Sequence, residues 1–288
     1  MKKYLSLIAF AGCLLTGCNA ILDEPGQQMQ TEIQNVGLSD EIVFETPQFE
    51  TKASSGVDAV TTVTNLYVAA KATTGNGFAS TLFTKGADTK YHANPAIYWP
   101  STDPGYTFYA ANAEVALSSG KYTISASTIS DLVYCVAAGV YKGSTSLQMK
   151  HIYARLGKVT LNSQEGYELS GVTLTLKSVH QKGTFTLPAG TTGNGTWTAS
   201  DAAADLAVSN GDNDLYVVPG IYDMTVSYTL KKGTTYSESF TKTAKDLDIS
   251  QGNITTVTMT AVGGAAAEIT FDVTVTAWEN NALTPTLS

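Results

Sequence analysis

The chain has 288 residues, 43% of them hydrophobic and 15% charged. This excludes a disordered polymer and leaves room for one large domain or two of ordinary size. The net charge is −8, from 17 Lys and Arg against 25 Asp and Glu, so the basic face that nucleic-acid binding requires is not expected.

The chain opens with "MKKYLSLIAFAGCLLTGC". Two lysines precede an apolar run too short to span a bilayer well, which predicts a signal peptide over residues 1–17. Leu15, Thr16, Gly17 and Cys18 resemble a bacterial lipobox. Signal cleavage is expected between Gly17 and Cys18, with lipidation of Cys18. Several acyl chains on that thiol would make a durable tether to a membrane. Cys13 leaves with the signal peptide and Cys18 carries lipid. Cys135 is then left without a disulfide partner and reads as a small buried hydrophobe.

Residues 18–40 are polar and without period, and are expected to form a flexible tether. Folded structure is expected from "EIVFET", where Ile42 and Phe44 alternate with polar neighbours. Beyond it the chain is rich in Thr, Val and Tyr and regularly punctuated by Gly. In "GVTLTLKSV", Val172, Leu174 and Leu176 fall on one face. "DMTVSYTLKKGTTYSESF" reads as a hairpin with Met224, Val226, Tyr228 and Leu230 inward and its turn at 231–234. "EITFDVTVTAW" is the cleanest strand, with Ile269, Phe271, Val273 and Val275 inward. "SDAAADLAV" admits short helical turns. "TGNGF" and "TGNGT" read as turns in which Asn-Gly favours positive φ. Short strands with frequent turns predict an all-β chain of two tandem β-sandwiches. The N-terminal one is expected over 41–148 and the C-terminal one over 149–288.

No set of groups for catalysis converges in the sequence, so no enzyme is expected. His92, His151 and His180 lie at no metal-ligand spacing, and no metal or other cofactor is expected. Asp212 and Asp214, and Asp246 and Asp248, read as solvated loop acids. Tyr98, Trp99, Tyr106, Phe108 and Tyr109 form the densest aromatic cluster. They read either as core or as a sugar-stacking platform.

In this order, several segments carry a family resemblance. "EIVFETPQFETKA", "IYWPSTDPGYTFYAAN", "DLVYCVAAGV" followed by "MKHIYARLGKVTL", "LYVVPGIYDMTVSY" and "ITFDVTVTAWE" resemble successive segments of the fimbrillin-like lipoproteins that build type V pili. The resemblance implies two transthyretin-like sandwiches, export to the outer-membrane surface and assembly into a fimbrium with other pilin subunits. It also implies that a protease removes the N-terminal strand, here the one bearing Ile42 and Phe44, and that a C-terminal strand of the next subunit takes its place. The matching cleavage position is Lys52 followed by Ala53, with Lys where the family carries Arg. Residues 268–278 are a candidate donor strand, with Gly263 and Gly264 as a hinge. They are equally the last strand of their own sandwich, and Leu283 and Leu287 in the tail offer a second candidate. The alternative to a pilin is a monomeric surface lipoprotein that binds glycan or a host protein.

Overall fold

The computed structural model describes residues 40–49, 62–263 and 269–277. Among these the fold is all-β, with no helix. In chain order the first strands are β1 (Gln48–Phe49), β2 (Asn65–Lys71), β3 (Phe78–Lys85), β4 (Tyr91–Ala93), β5 (Thr107–Ala111), β6 (Val115–Ser118), β7 (Lys121–Ala126), β8 (Val133–Ala138) and β9 (Gln148–His151). There follow β10 (Ala154–Ser163), β11 (Glu168–Val179), β12 (Gly183–Thr186), β13 (Thr196–Ala199), β14 (Ala204–Val208) and β15 (Leu215–Val217). The last strands among the described residues are β16 (Gly220–Lys232), β17 (Tyr236–Ile249), β18 (Asn253–Ala261) and β19 (Ile269–Ala277).

The strands form four sheets. A seven-stranded sheet runs β1-β9-β8-β5-β2-β3-β4, and a four-stranded sheet β13-β12-β7-β6 lies with it. Two further four-stranded sheets, β15-β10-β18-β19 and β14-β11-β16-β17, make the C-terminal sandwich. Their inner faces enclose one core, with Leu156, Leu161, Leu176, Met224, Val226, Leu230, Val257 and Met259 buried.

The central strands of the seven-stranded sheet are buried on both faces. Val68, Phe108, Ala110, Val133 and Cys135 face a core that includes Ile42 and Phe44. Their neighbours Ala69, Tyr109, Ala111, Tyr134 and Val136 face a second core shared with Tyr122, Ile124 and Phe185. Two apolar environments explain why "DLVYCVAAGV" is continuously apolar where a half-exposed strand would alternate. Cys135 is buried there, as its composition and surroundings suggested.

The hairpin of β12 and β13 crosses between the two parts of the molecule. Phe185 pairs with Ile124 of β7 and with Trp197 of β13. The Trp197 indole N–H donates to the carbonyl of Ile152, at 2.9 Å. The boundary expected at 148 falls where β9 begins, so this hairpin lies on its C-terminal side while pairing on its N-terminal side.

Local details depart from the sequence reading for physical reasons. In β11, Leu174 and Leu176 are buried as the alternation requires, but so is Val179. Ser178 takes a positive φ of 55° at a register shift, and this reverses the inward parity. "SDAAADLAV" forms no helical turn; it contains β14, whose Leu206 and Val208 pair with Leu176 and Leu174 of β11. Asp246 and Asp248 lie within β17, not in a loop. The hairpin turn follows Lys232, with Gly233 at φ 53°. In both Thr-Gly-Asn-Gly segments the first glycine, Gly75 or Gly193, carries the positive φ, not the Asn-Gly pair. The second glycine permits close approach: a Cβ on Gly77 would collide with the Ala70 carbonyl, and one on Gly195 with the Phe185 ring.

Candidate functional site

Residues 40–49 make the most informative site. The seven-stranded sheet ends on one side at β4 and on the other at β9 with β1. Phe44 pairs with both sides, antiparallel to Tyr91 and parallel to Thr145. The N-terminal segment therefore closes the gap between the two edges, and removing it would open the sheet along both. Closure hides the unpaired backbone that an edge strand otherwise presents.

The hydrogen bonds follow this two-sided seat. On the β4 side, the Trp99 N–H donates to Asp40 at 2.7 Å, Ile42 to Ile97 at 2.8 Å and Tyr91 to Phe44 at 2.9 Å. On the other side, Glu45 donates to Thr145 at 3.1 Å, Thr145 to Val43 at 3.2 Å and Gln48 to Leu147 at 2.8 Å. Pro47 brings no N–H. Ile42 and Phe44 point into the core and are essentially inaccessible. The Phe44 ring sits edge-on between Phe83 and Phe108, 4.9 Å from each centroid. Burial of two such side chains is worth about 1.5–3 kcal/mol each.

Charge lies along the same seat. The segment carries Asp40, Glu41 and Glu45, and the body opposes them with Lys142 at 2.9 Å, His92 at 3.1 Å and Lys90 at 3.4 Å. His92 also pairs through its other ring nitrogen with Asp88, at 3.0 Å. Partial burial lowers the pKa of His92, but the hydrogen bonds to Glu41 and Asp88 outweigh this and raise it overall. The hydrogen bond from His92 holds Asp88 below its ordinary carboxylate range. His92 is thus no loosely solvated loop residue. A neutral imidazole can donate from only one nitrogen, so two carboxylate partners favour the protonated ring.

The other histidines also have carboxylate partners. His151 is buried, with Nδ1 2.7 Å from Asp131, and the Phe49 ring of β1 stacks over it. His180 follows β11 partly buried, 3.0 Å from Asp201. Among the described residues no group of three or more His, Cys, Asp or Glu is placed to hold a metal.

The structure does not gather the aromatic cluster into an exposed platform. Trp99, Phe108 and Tyr109 are buried, and of the five rings only Tyr98 is more than half exposed. Trp99 packs against Tyr106, Phe108 and Tyr141. The alternation in "YTFYAA" is a core signal.

At the other end of the chain, β19 pairs in register along the whole of β18 and forms the edge of its sheet. Ile269 and Val273 are half-buried against the C-terminal core, while Val275 is 45% exposed. Gly263 packs against Tyr167 and donates to the Gln164 side chain at 3.2 Å. Gly17, Cys18, Lys52, Ala53 and Gly264 lie outside the described residues. Sequence reasoning found Ile42 and Phe44 from their alternation. It missed the partners His92, Lys90 and Lys142, because no local spacing links them to residues 40–49.

The sequence matches the fimbrillin-like family over residues 43–278. No curated protein matches it. Solved structures share its fold. A fimbrial protein from Bacteroides vulgatus is 13% identical, with a TM-score of 0.56, over 83% of this chain and 99% of that one. A protein assigned to cell adhesion from Bacteroides eggerthii is 15% identical, with a TM-score of 0.50, over 83% and 96%. Another from Parabacteroides distasonis is 9% identical, with a TM-score of 0.50, over 83% and 98%.

Proposed function

The chain belongs to the fimbrillin-like family, a fimbrial family and not one of enzymes, and on that premise we propose that it is a pilin subunit that polymerises by strand exchange. In this reading the chain is exported as a lipoprotein on Cys18 and reaches the outer-membrane surface. A trypsin-like protease then cuts after Lys52. The lipid and residues 40–49 lie on the same side of that cut, so the lipid serves transit and leaves with the closing strand.

The observation that carries this reading is the closure of the seven-stranded sheet by residues 40–49, with Phe44 paired on both sides. A cut after Lys52 leaves the segment held only by non-covalent contacts. Its buried Ile42, Phe44 and Pro47 and its backbone bonds resist loss to water, but another strand can replace them at little net cost. Departure without a replacement would expose the Phe83–Phe108 slot and two rows of backbone groups. The design therefore favours exchange over simple release. Other pilin subunits are the partners that supply such a strand.

N-terminal sequencing of surface-sheared material tests this reading. A start at Ala53 is expected. An acylated Cys18 in every copy would contradict it and favour a permanently anchored surface lipoprotein.

A further inference from the structure

The segment in the seat and the last strand share a pattern. Residues 41–45 read Glu-Ile-Val-Phe-Glu, and residues 268–272 read Glu-Ile-Thr-Phe-Asp. Three positions are identical, one exchanges acid for acid, and one exchanges a β-branched residue for another. Resting on the strand-exchange reading above, we propose that residues 269–275 of a second copy occupy the seat of residues 42–48 in one defined register. Ile269 takes the place of Ile42, Phe271 that of Phe44, and Asp272 that of Glu45.

Shape supports this register. The Phe44 ring fills a slot between Phe83 and Phe108. Phenylalanine two residues after isoleucine reproduces the Ile42 and Phe44 pair on one face of a strand. Sliding by two would put Phe271 in the Ile42 position and leave Val273 to fill the aromatic slot. Charge supports it as well. Asp272 comes opposite Lys90, which now pairs with Glu45, and Glu268 follows Glu41 towards His92. A shift by two would bring uncharged Thr270 or Thr274 to Lys90.

Parity supplies the strongest argument. The edge that receives the strand buries Thr145, Leu147 and Met149, alternate residues of an extended stretch. The resident segment follows it imperfectly. Phe44 lies opposite Thr145, but Gln48 lies opposite Gln148, so four residues on one side span three on the other. Pro47, without an N–H, sits in that irregular stretch. Residues 269–275 contain no proline and alternate without a break. With Phe271 opposite Thr145, Val273 falls opposite Leu147 and Val275 opposite Met149. Both valines then face inward, whereas Val275 is 45% exposed in its present place. In the resident segment Pro47 is buried and Phe49, opposite Met149, is half-buried, so the two valines take over inward places that are already filled, without the irregularity at Pro47.

Cysteine trapping tests the register. In the seat, the N–H of Thr145 donates to the carbonyl of Val43, which makes Ser144 and Val43 neighbours on the outward side. Thr270 would stand where Val43 stands. The full chain carrying Thr270→Cys and Ser144→Cys is treated with a protease that cuts after Lys52, then mildly oxidised. A disulfide-linked ladder is expected from cut chains and none from uncut ones. The control pairs, Asp272→Cys or Thr274→Cys with Ser144→Cys, are expected to link about tenfold less, since their Cα atoms would exceed disulfide range. Preferential linking at 272 or 274 overturns the register and leaves strand exchange standing. A disulfide confined to monomers overturns the second copy as donor. Failure of the parent chain to form SDS-resistant ladders after cutting overturns the strand-exchange reading itself, and this inference with it. Should a cysteine variant fail to fold, a charge swap reads the same register. Asp272→Lys slows ladder formation a few-fold, and adding Lys90→Glu restores it; no restoration contradicts the proposal.

Discussion

His92 reaches out of β4 to Glu41 of the closing segment, with its Nδ1 3.1 Å from the Glu41 Oε1. Asp88 holds the other ring nitrogen at 3.0 Å, so the contact tightens when the imidazole is protonated. The pKa of His92 is raised above its ordinary 6.5. Its contribution is therefore fully present below 6.5 and is lost as pH rises through the raised value. Asp88 is lowered below its ordinary 3.8, so its contribution is present above 3.8 and lost as pH falls through the lowered value. Both hold in the mildly acidic window between them. The urea midpoint of the uncut chain should be higher at about pH 5.5 than at about pH 8.5, and His92→Gln should remove most of that difference. An unchanged pH profile in the variant would place the titrating group elsewhere.

Phe44→Ala should destabilise the uncut chain by about 3–5 kcal/mol, because it empties a slot closed by two aromatic rings. Equilibrium denaturation measures this. If the cavity-lining Phe83 and Phe108 collapse together, the loss falls to the lower end of that range. Val43→Ala, on the outward side, should change stability by about 0.5 kcal/mol or less.

The β12–β13 hairpin gives a separate prediction. A Cβ on Gly195 would meet the Phe185 ring and lie 2.5 Å from the Thr186 carbonyl. Gly195→Ala should therefore destabilise by about 1–3 kcal/mol through overpacking. Gly190 has no neighbour within 4 Å of such a Cβ, and Gly190→Ala should leave the thermal midpoint nearly unchanged.

Much of the fold was legible because strands announce themselves by period two. Met224, Val226, Tyr228 and Leu230 alternate in the sequence and are buried together. The same signal marked Ile42 and Phe44. What it could not carry was pairing across distance. Nothing local in residues 183–199 says that Phe185 will lie beside Ile124, and nothing in Glu41 says that His92 will meet it. Trp99 illustrates another limit: a ring in a Pro- and Gly-rich stretch looks exposed, yet the loop 100–105 folds it onto Tyr106 and Phe108. The seat was also only half legible. Its occupant could be read from alternation, whereas its double-sided closure depends on two edges far apart in the chain.

Removing the cleavage position isolates the role of the cut. Lys52→Gln should keep the chain monomeric under protease doses that convert the parent chain to ladders, with an unchanged denaturation midpoint. Size-exclusion chromatography separates the two outcomes. Polymer from the variant would mean that another bond is cut, or that cutting is not required.

The central claim is that residues 40–49 are a replaceable closing strand and that the last strand of another copy replaces them. The most direct measurement is unheated SDS gel electrophoresis of protease-cut chain, with mass spectrometry of the excised bands, for the parent and for a chain lacking 268–288. Ladders from the parent that contain no peptide from residues 40–49, and none from the truncated chain, are predicted. Ladders that retain residues 40–49, or that persist without 268–288, would contradict the account.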